Sequence, residues 1–466
     1  VWNGQTYPLK RCKSLKIMRR KIYQELLKWK NEKQGKTALL LEGARRIGKS
    51  YIVEAFGKGE YKSYILVDFN DMDEELLNIF EHYLSNRDEL FLRLSLHFGV
   101  KLYPRESLII FDEVQQYPKA RAAIKYLVKD GRFDYIETGS LISIKKNVTD
   151  IVIPSEEQRI EMFPMDFEEF LWALGDDMTM DFVRRQFERL EPLGPLHRKV
   201  MDYLRQYMIV GGMPQAVQAF VDTKDFDAVD EIKRGILRLY RNDIEKYATK
   251  AETRVTSIFD EIPAQLQQHE KKFRLSALRS GARMRDYEDA FFWLDDACVV
   301  NLCYNTTAPN IGLRLNRKRT TLKCYFGDTG LLISHAFDER IIAKEQLYRK
   351  LMLNKLEINK GMLVENLVAQ MLRASGHKLY FYSNPDRKVA ENRMEIDFLV
   401  PKPQLTNRHN ISPIEVKSTN RYTTTSLEKF RIKFAEQSTT PYVLHTSDVK
   451  TENGIVFLPL YMTPLL

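Results

Sequence analysis

An apolar β-run, then Gly43-x-x-x-x-Gly48-Lys49-Ser50, then a helix-compatible segment follow one another in TALLLEGARRIGKSYIVEAF, residues 37–56. This order constrains the chain more than any other feature, because a glycine-bearing turn between strand and helix is the setting in which the pattern cradles phosphate. The glycines let successive backbone N–H groups point inward, with the positive end of the following helix behind them. Lys49 is expected to neutralise the β- and γ-phosphates, and Ser50 to hold magnesium. Gly43, Arg46, Gly48 and Tyr51 complete the expected nucleotide-contacting set. ATP with magnesium is the ligand this predicts.

A second element supports it. Ser107-Leu-Ile-Ile-Phe-Asp112-Glu113 is a continuous apolar run ending in adjacent carboxylates, as expected of a parallel strand covered on both faces. The carboxyl ends of such strands are where an open α/β sheet binds its ligand. Asp112 is placed to accept from metal-bound water or from Ser50, and Glu113 to orient or deprotonate an attacking water. That predicts hydrolysis and not only nucleotide holding.

The flanking segments supply the rest of the sheet. Helical spacing runs through Ile22, Leu26, Leu27 and Trp29; YILVDF at 64–69 reads as a strand, residues 73–98 as one long helix, and FDYIETG at 133–139 as another strand. Ser140 then stands at a strand tip beside the expected γ-phosphate. It reads either as a sensor of nucleotide state or as an ordinary strand-ending turn residue.

Over most of its length from Met18 onward, the chain resembles the prokaryotic AAA-type ATPases in which a P-loop core is followed by a domain of unknown function. The resemblance is carried by GARRIGKS (43–50), IIFDEVQ (109–115), TGSL (138–141), QRIEMFPMDFEEFL (158–171), GGMP (211–214), YFGDTGLL (325–332), GMLVENLV (361–368) and MEIDFLV (394–400). Ala44 stands where the family commonly has proline, and Gln158 where a glycine often precedes an arginine. That arginine is Arg159, which the resemblance makes a candidate for stabilising γ-phosphate charge in the transition state, within one chain or across subunits. Its other reading is a surface pair with Glu161 or Glu168.

Length and composition agree with a soluble protein of about three domains: 466 residues, 44% apolar and 29% charged. No apolar run long enough to span a bilayer is present, and the N-terminus lacks a signal-type stretch, so a cytoplasmic location without membrane contact is expected. Cys12, Cys298, Cys303 and Cys324 have no metal-ligand spacing and read as free thiols. Residues 1–17 read as an N-terminal arm and 18–175 as the P-loop core. A helical lid or linker follows at 176–250, then a winged-helix-like segment at 251–310 and a nuclease-like domain at 311–466. The fold class predicted is therefore α/β: an AAA-like P-loop core with a parallel sheet, a helical and winged-helix middle, and a restriction-endonuclease-like α/β domain.

The net charge of +9 is modest, and its basic runs, KKFR at 271–274 and RLNRKRTTLK at 314–323, most often mean a solvated face. Between 252 and 310, three helical stretches precede the β-leaning VVNLCYN, the order of a winged helix. The helix in the recognition position, 285–296, holds Asp286, Glu288, Asp289, Asp295 and Asp296 against one arginine, which phosphates would repel. A structural or protein-binding winged helix is expected, with the hairpin around Arg317, Lys318 and Arg319 as the better contact for DNA.

The C-terminal region holds a second candidate site. Glu395 and Asp397 in ENRMEIDFLV are two apart and share a strand face, as do Glu415 and Lys417 in SPIEVKST. This is the spacing logic of the PD-(D/E)XK nuclease fold, in which carboxylates hold magnesium and the lysine assists the attacking water. Glu365 lies on the packed phase of its helix, either as a further site member or as a buried salt bridge or helix cap. Two functions stand side by side: an ATP-dependent switch with a binding-only nuclease-like domain, or an ATP-regulated nuclease on DNA or RNA. The oligomeric state is left open.

Overall fold

The computed structural model describes residues 18–140, 156–248, 250–268, 270–338, 348, 350, 352, 360–386, 389, 391–402, 408–419 and 421–466. Two compact units divide them: one holds the residues up to Glu42 together with Gly48–Met162, the other Gly43–Ile47 together with Phe163–Leu466.

In the first unit, β1 (Ala38–Glu42), β2 (Ser63–Asp68), β3 (Ser107–Asp112), β4 (Asp134–Gly139) and β5 (Glu157–Glu161) form one sheet in the order β2-β3-β4-β1-β5. All pairings are parallel, so every carboxyl end lies on one edge. All six residues of β3 are buried, as a strand with both faces covered requires. Phe69, Phe80, Phe111 and Tyr117 pack edge-on and stacked above β2 and β3, and each of the three buried phenylalanines contributes about 1.5–3 kcal/mol by leaving water.

The long helix expected over 73–98 is two helices, Glu74–His82 and Arg87–Phe98. Capping explains the break. Asp73 accepts from Leu76 N–H at 2.7 Å and Asn86 from Glu89 N–H at 3.4 Å, so each start has its own side-chain cap, and such a cap contributes about 1 kcal/mol.

The second unit begins with helices, among them Leu196–Val210, Pro214–Thr223, Phe226–Tyr247 and Glu252–Gln267. Of the three helical stretches expected before VVNLCYN, the middle one is only a single 3-10 turn, Leu275–Ala277, between Glu252–Gln267 and Met284–Asp296. The strand that follows, β6 (Val300–Thr306), pairs antiparallel with β7 (Arg317–Phe326) and parallel with β8 (Tyr380–Asn384), which pairs with β9 (Met394–Ile396). Residue 310 thus lies inside a hairpin. A second sheet has the order β10-β11-β12-β14-β13, comprising β10 (Phe398–Pro401), β11 (Ile411–Val416), β12 (Tyr442–His445), β13 (Lys450–Glu452) and β14 (Ile455–Pro459).

GGMP and GDTG meet face to face. A Cβ on Gly330 would lie 2.6 Å from the Gly211 Cα, and one on Gly212 would lie 2.2 Å from the Met165 carbonyl oxygen, so side chains are excluded there. Asp328, fully buried, seals the joint by accepting from Gly212 N–H at 2.6 Å and Leu331 N–H at 2.9 Å.

Candidate functional site

The turn after β1 reaches its helix through Gly48, whose φ of 90° is a left-handed value that glycine alone adopts without cost, and Lys49–Glu60 starts at once. Lys49 and Ser50 are therefore the first two helical residues. Ser50 Oγ donates to Asp112 Oδ1 at 2.9 Å, and Thr138 Oγ1 donates to the same oxygen. Thr138 also accepts from the Glu113 N–H at 3.3 Å, so one hydroxyl at the tip of β4 ties down both acidic residues of β3. Glu113 has a φ of 51°, an uncommon setting for a side-chain-bearing residue and one that clusters at functional sites. Its Oε2 accepts from Ser140 Oγ at 3.1 Å and from the Gln115 amide.

Burial pushes the Asp112 carboxyl up, with the hydroxyls of Thr138 and Ser50 pulling it partly back. Among the described residues neither Asp112 nor Glu113 forms an ion pair with a lysine or arginine. A hydroxyl and a carboxylate are hard oxygen donors, and a buried carboxylate without an ammonium partner fits magnesium.

Thr138 and Gln115 stand in the quoted TGSL and IIFDEVQ segments, but sequence alone assigns neither of them a role. Register gives the signal for Thr138: Phe111 pairs with Glu137, which sets Thr138 beside Asp112. Arg159 sits in mid-β5 opposite Leu40, and its guanidinium binds Glu157 at 2.9 Å and Glu42 at 3.6 Å. Its partners are thus neither Glu161 nor Glu168. The odd-numbered residues of β5 share a face with Ala38, Leu40 and Glu42 across the parallel pairing. In the loop itself, Arg45 is held by Asp243 at 2.6 Å, with Tyr240 O–H donating to the Arg45 carbonyl at 3.2 Å. Exposed Arg46 lines a cavity of about 950 Å³ with Gln215, Asp222, Arg238, Arg241 and Asn242, a size in the small-molecule range. Tyr51 is 44% exposed and Gly43 has a φ of 151°.

In the C-terminal region Glu365, Glu395 and Asp397 do converge, but on a lysine. Lys323 of β7, 1% exposed, places its Nζ 3.1 Å from Glu365 Oε1, 3.1 Å from Glu395 Oε1 and 3.4 Å from Asp397 Oδ1. Lys271 pairs with Glu365, and Lys272 with Glu395 at 3.1 Å. The basic runs containing these residues, expected on a solvated face, thus turn three of their lysines inward. Burial opposes charge on Glu365, yet Lys323 and Lys271 overcome it and hold its carboxyl low; burial and the nearby Glu365 push Asp397 up. Glu415 and Lys417 form their own pair at 2.7 Å, and Asp397 Oδ2 accepts from Val416 N–H at 2.9 Å. Among the described residues no group of three His, Cys, Asp or Glu side chains is disposed to hold a metal.

Residues 35–171 match the family model described as an AAA domain. The core is an AAA domain. Residues 201–340 match a domain of unknown function (DUF8612), and residues 360–462 another (DUF4143). No curated protein matches the chain. Among solved structures, the Walker-type ATPase PABY2304 of Pyrococcus abyssi is 16% identical, covering 68% of this chain and 96% of its own, with a TM-score of 0.42. The ORC2 protein of Aeropyrum pernix, in ADPNP–ADP complexes, is 13% identical, covering 73% and 95%, with a TM-score of 0.37. Overlap at this level carries no functional weight.

Downstream of the AAA domain, the acidic helix Met284–Asp296 binds Arg254 through Asp289 at 3.0 Å and Arg319 through Glu288 at 3.8 Å. The Arg317 guanidinium lies 4.4 Å over the Tyr304 ring, while Lys318 is exposed. Cys303 and Cys324 are buried thiols and Cys298 is half-buried; Cys12 lies outside the described residues. Among the described residues no helix is long and apolar enough to cross a membrane.

Proposed function

We propose that the AAA domain binds ATP and hydrolyses it slowly, and that the chain works as a nucleotide-dependent switch whose DUF4143 region binds a partner without cleaving it. The observation that carries the first half is the Ser50–Asp112–Thr138 hydrogen-bonded set with Glu113 held beside it. Ser50 and Asp112 would hold magnesium, which when bound draws charge from the phosphate oxygens. Lys49, at the start of its helix, would set its ammonium against the β- and γ-phosphates. Glu113 would take a proton from water as its oxygen attacks the γ-phosphorus; the bond to the bridging oxygen breaks, leaving ADP and phosphate. Ser140 and Gln115 would fix the Glu113 carboxylate for that task.

The test is ATP binding and turnover in Lys49→Ala and Glu113→Gln, the first expected to lose binding, the second to keep it and lose turnover. Equal loss of binding in both removes this role from Glu113. Partner binding or self-association that differs between ATP and ADP would support the switch.

A second reading, a metal-dependent nuclease controlled by the AAA domain, is favoured by the convergence of Glu365, Glu395 and Asp397. Cleavage of DNA or RNA with magnesium or manganese, with and without ATP, decides between the two. The occupant of that convergence weighs against cleavage.

A further inference from the structure

We infer that Lys323 is an internal cation that closes the Glu365–Glu395–Asp397 cluster to divalent metal, so that the nuclease-like position is filled by the protein's own fold. This deepens the non-cleaving reading of the DUF4143 region and is independent of the nucleotide site.

Distance is the first argument. Oxygens stand 3.1, 3.1 and 3.4 Å from the Lys323 nitrogen, which is ammonium–carboxylate spacing. Magnesium demands oxygens at about 2.0–2.1 Å, so the same three groups would have to draw inward by about an ångström each to hold it.

Charge is the second. The carboxylates of Glu365, Glu395 and Asp397 are matched by the ammonium groups of Lys271, Lys272 and Lys323. A divalent ion entering without expelling a lysine would leave two uncompensated positive charges in a buried place, a heavy desolvation cost. The remaining oxygen valences are also used: Asp397 accepts from Val416 N–H, Glu365 from Tyr325 O–H and Glu395 from Ser383 O–H.

Permanence is the third. Lys323 pairs with Cys303 in the β6–β7 ladder, which fixes its backbone, and its side chain is 1% exposed between three carboxylates, so the ammonium reaches water only by giving up all three partners in a buried place. An exposed lysine could swing aside into water; this one is held by burial and by its three carboxylate partners.

The experiment is manganese binding to the nucleotide-free full chain, read by electron paramagnetic resonance. Bound ion is assigned to the cluster only where Asp397→Asn removes it. The wild-type chain should show no Asp397-dependent manganese, and Lys323→Met should gain about one ion per chain that Asp397→Asn in that background removes. Lys323→Arg, which keeps the charge, should gain none. Asp397-dependent manganese in the wild type overturns the inference, as does a folded Lys323→Met chain with no gain. If Lys323→Met does not fold, the wild-type measurement still decides, and Lys323→Met with Glu395→Gln, which removes one charge of each sign, replaces it. Cleavage of DNA or RNA by the wild type without Asp397-dependent manganese would sink the non-cleaving reading while leaving the closed cluster standing.

Discussion

At the tip of β3 the carboxylates of Asp112 and Glu113 are met by the hydroxyls of Ser50, Thr138 and Ser140 and by the Gln115 amide, all of them neutral donors. In the DUF4143 region the carboxylates of Glu365, Glu395 and Asp397 are met by lysines. Both sets lie at strand ends or on a packed helix, and both have the residue types of a magnesium site. Their partners separate them. Hydroxyls orient a carboxylate and leave its charge for a ligand, whereas an ammonium at salt-bridge distance consumes that charge. The counter-charge, more than the carboxylates themselves, tells a cluster whose negative charge is left unmet from one that already has its own cation.

Turnover should expose the contrast most strongly. Glu113→Gln should lower ATP turnover by about 10²–10⁴-fold with nucleotide affinity retained, because only the proton acceptor is lost. Asp397→Asn in the other cluster should leave turnover unchanged. A comparable fall from Asp397→Asn would mean that the two clusters are one functional system.

Stability should show the reverse. Lys323→Met leaves three carboxylates facing one another in a buried place, and removing one partner of a buried ion pair costs about 3–5 kcal/mol. Denaturant unfolding of the full chain measures it, and Lys323→Arg should recover part of the loss. A cost below about 1 kcal/mol would say that the cluster is wet and the lysine ordinary.

The candidate AAA site could be read from the sequence because its parts are local: eight residues set the loop, and seven set β3 with the Glu113 that follows it, each pattern carried by neighbours along the chain. Thr138 was harder, since its role depends on β4 lying between β1 and β3, an order that spacing along the chain does not encode. The acidic half of the C-terminal cluster was also legible, from Glu395 and Asp397 two apart and Glu365 on a packed helical phase. Its basic half was not. Lys323 lies 42 residues from Glu365 and 74 from Asp397, and it closes a basic run that reads in sequence as a solvated face. One local clue existed: Lys323 is followed by Cys324, Tyr325 and Phe326, all buried, so a lysine in that strand needed an internal partner.

Acidity gives a further test within the C-terminal set. Burial pushes the Glu415 carboxyl up to about 7, with Lys417 pulling it partly back. The folded state therefore holds this proton more tightly than the unfolded chain does. Its contribution is complete below the ordinary carboxylate range and is lost as pH rises through about 7, amounting to about 3 kcal/mol at most. His445, lowered by burial to about 4, acts in the opposite direction: its contribution is present above the usual histidine range and fades as pH falls through that value. The whole-protein curve mixes the two, so the readout is wild type against Glu415→Gln. The variant should be less destabilised at about pH 8 than at about pH 5. An equal deficit at both would mean that Glu415 is ionised throughout, fully compensated by Lys417.

The smallest effect is expected from Arg159, which separates an ion pair on the sheet from a guanidinium on phosphate. Its side chain, 40% exposed, is held by Glu157 at 2.9 Å and Glu42 at 3.6 Å, and a pair of this exposure contributes about 0–1 kcal/mol to stability. Arg159→Ala should therefore shift the unfolding midpoint slightly and change ATP turnover by less than about tenfold. An arginine that stabilises the transferring phosphoryl group contributes about 10³–10⁵ to turnover. Single-turnover hydrolysis at saturating ATP distinguishes the two, because it removes product release from the rate. A thousandfold loss with nucleotide affinity intact would mean that the guanidinium leaves Glu157 and Glu42 when ATP binds. The hydroxyl-lined site would then share with the lysine-filled one a positively charged partner, present only during turnover.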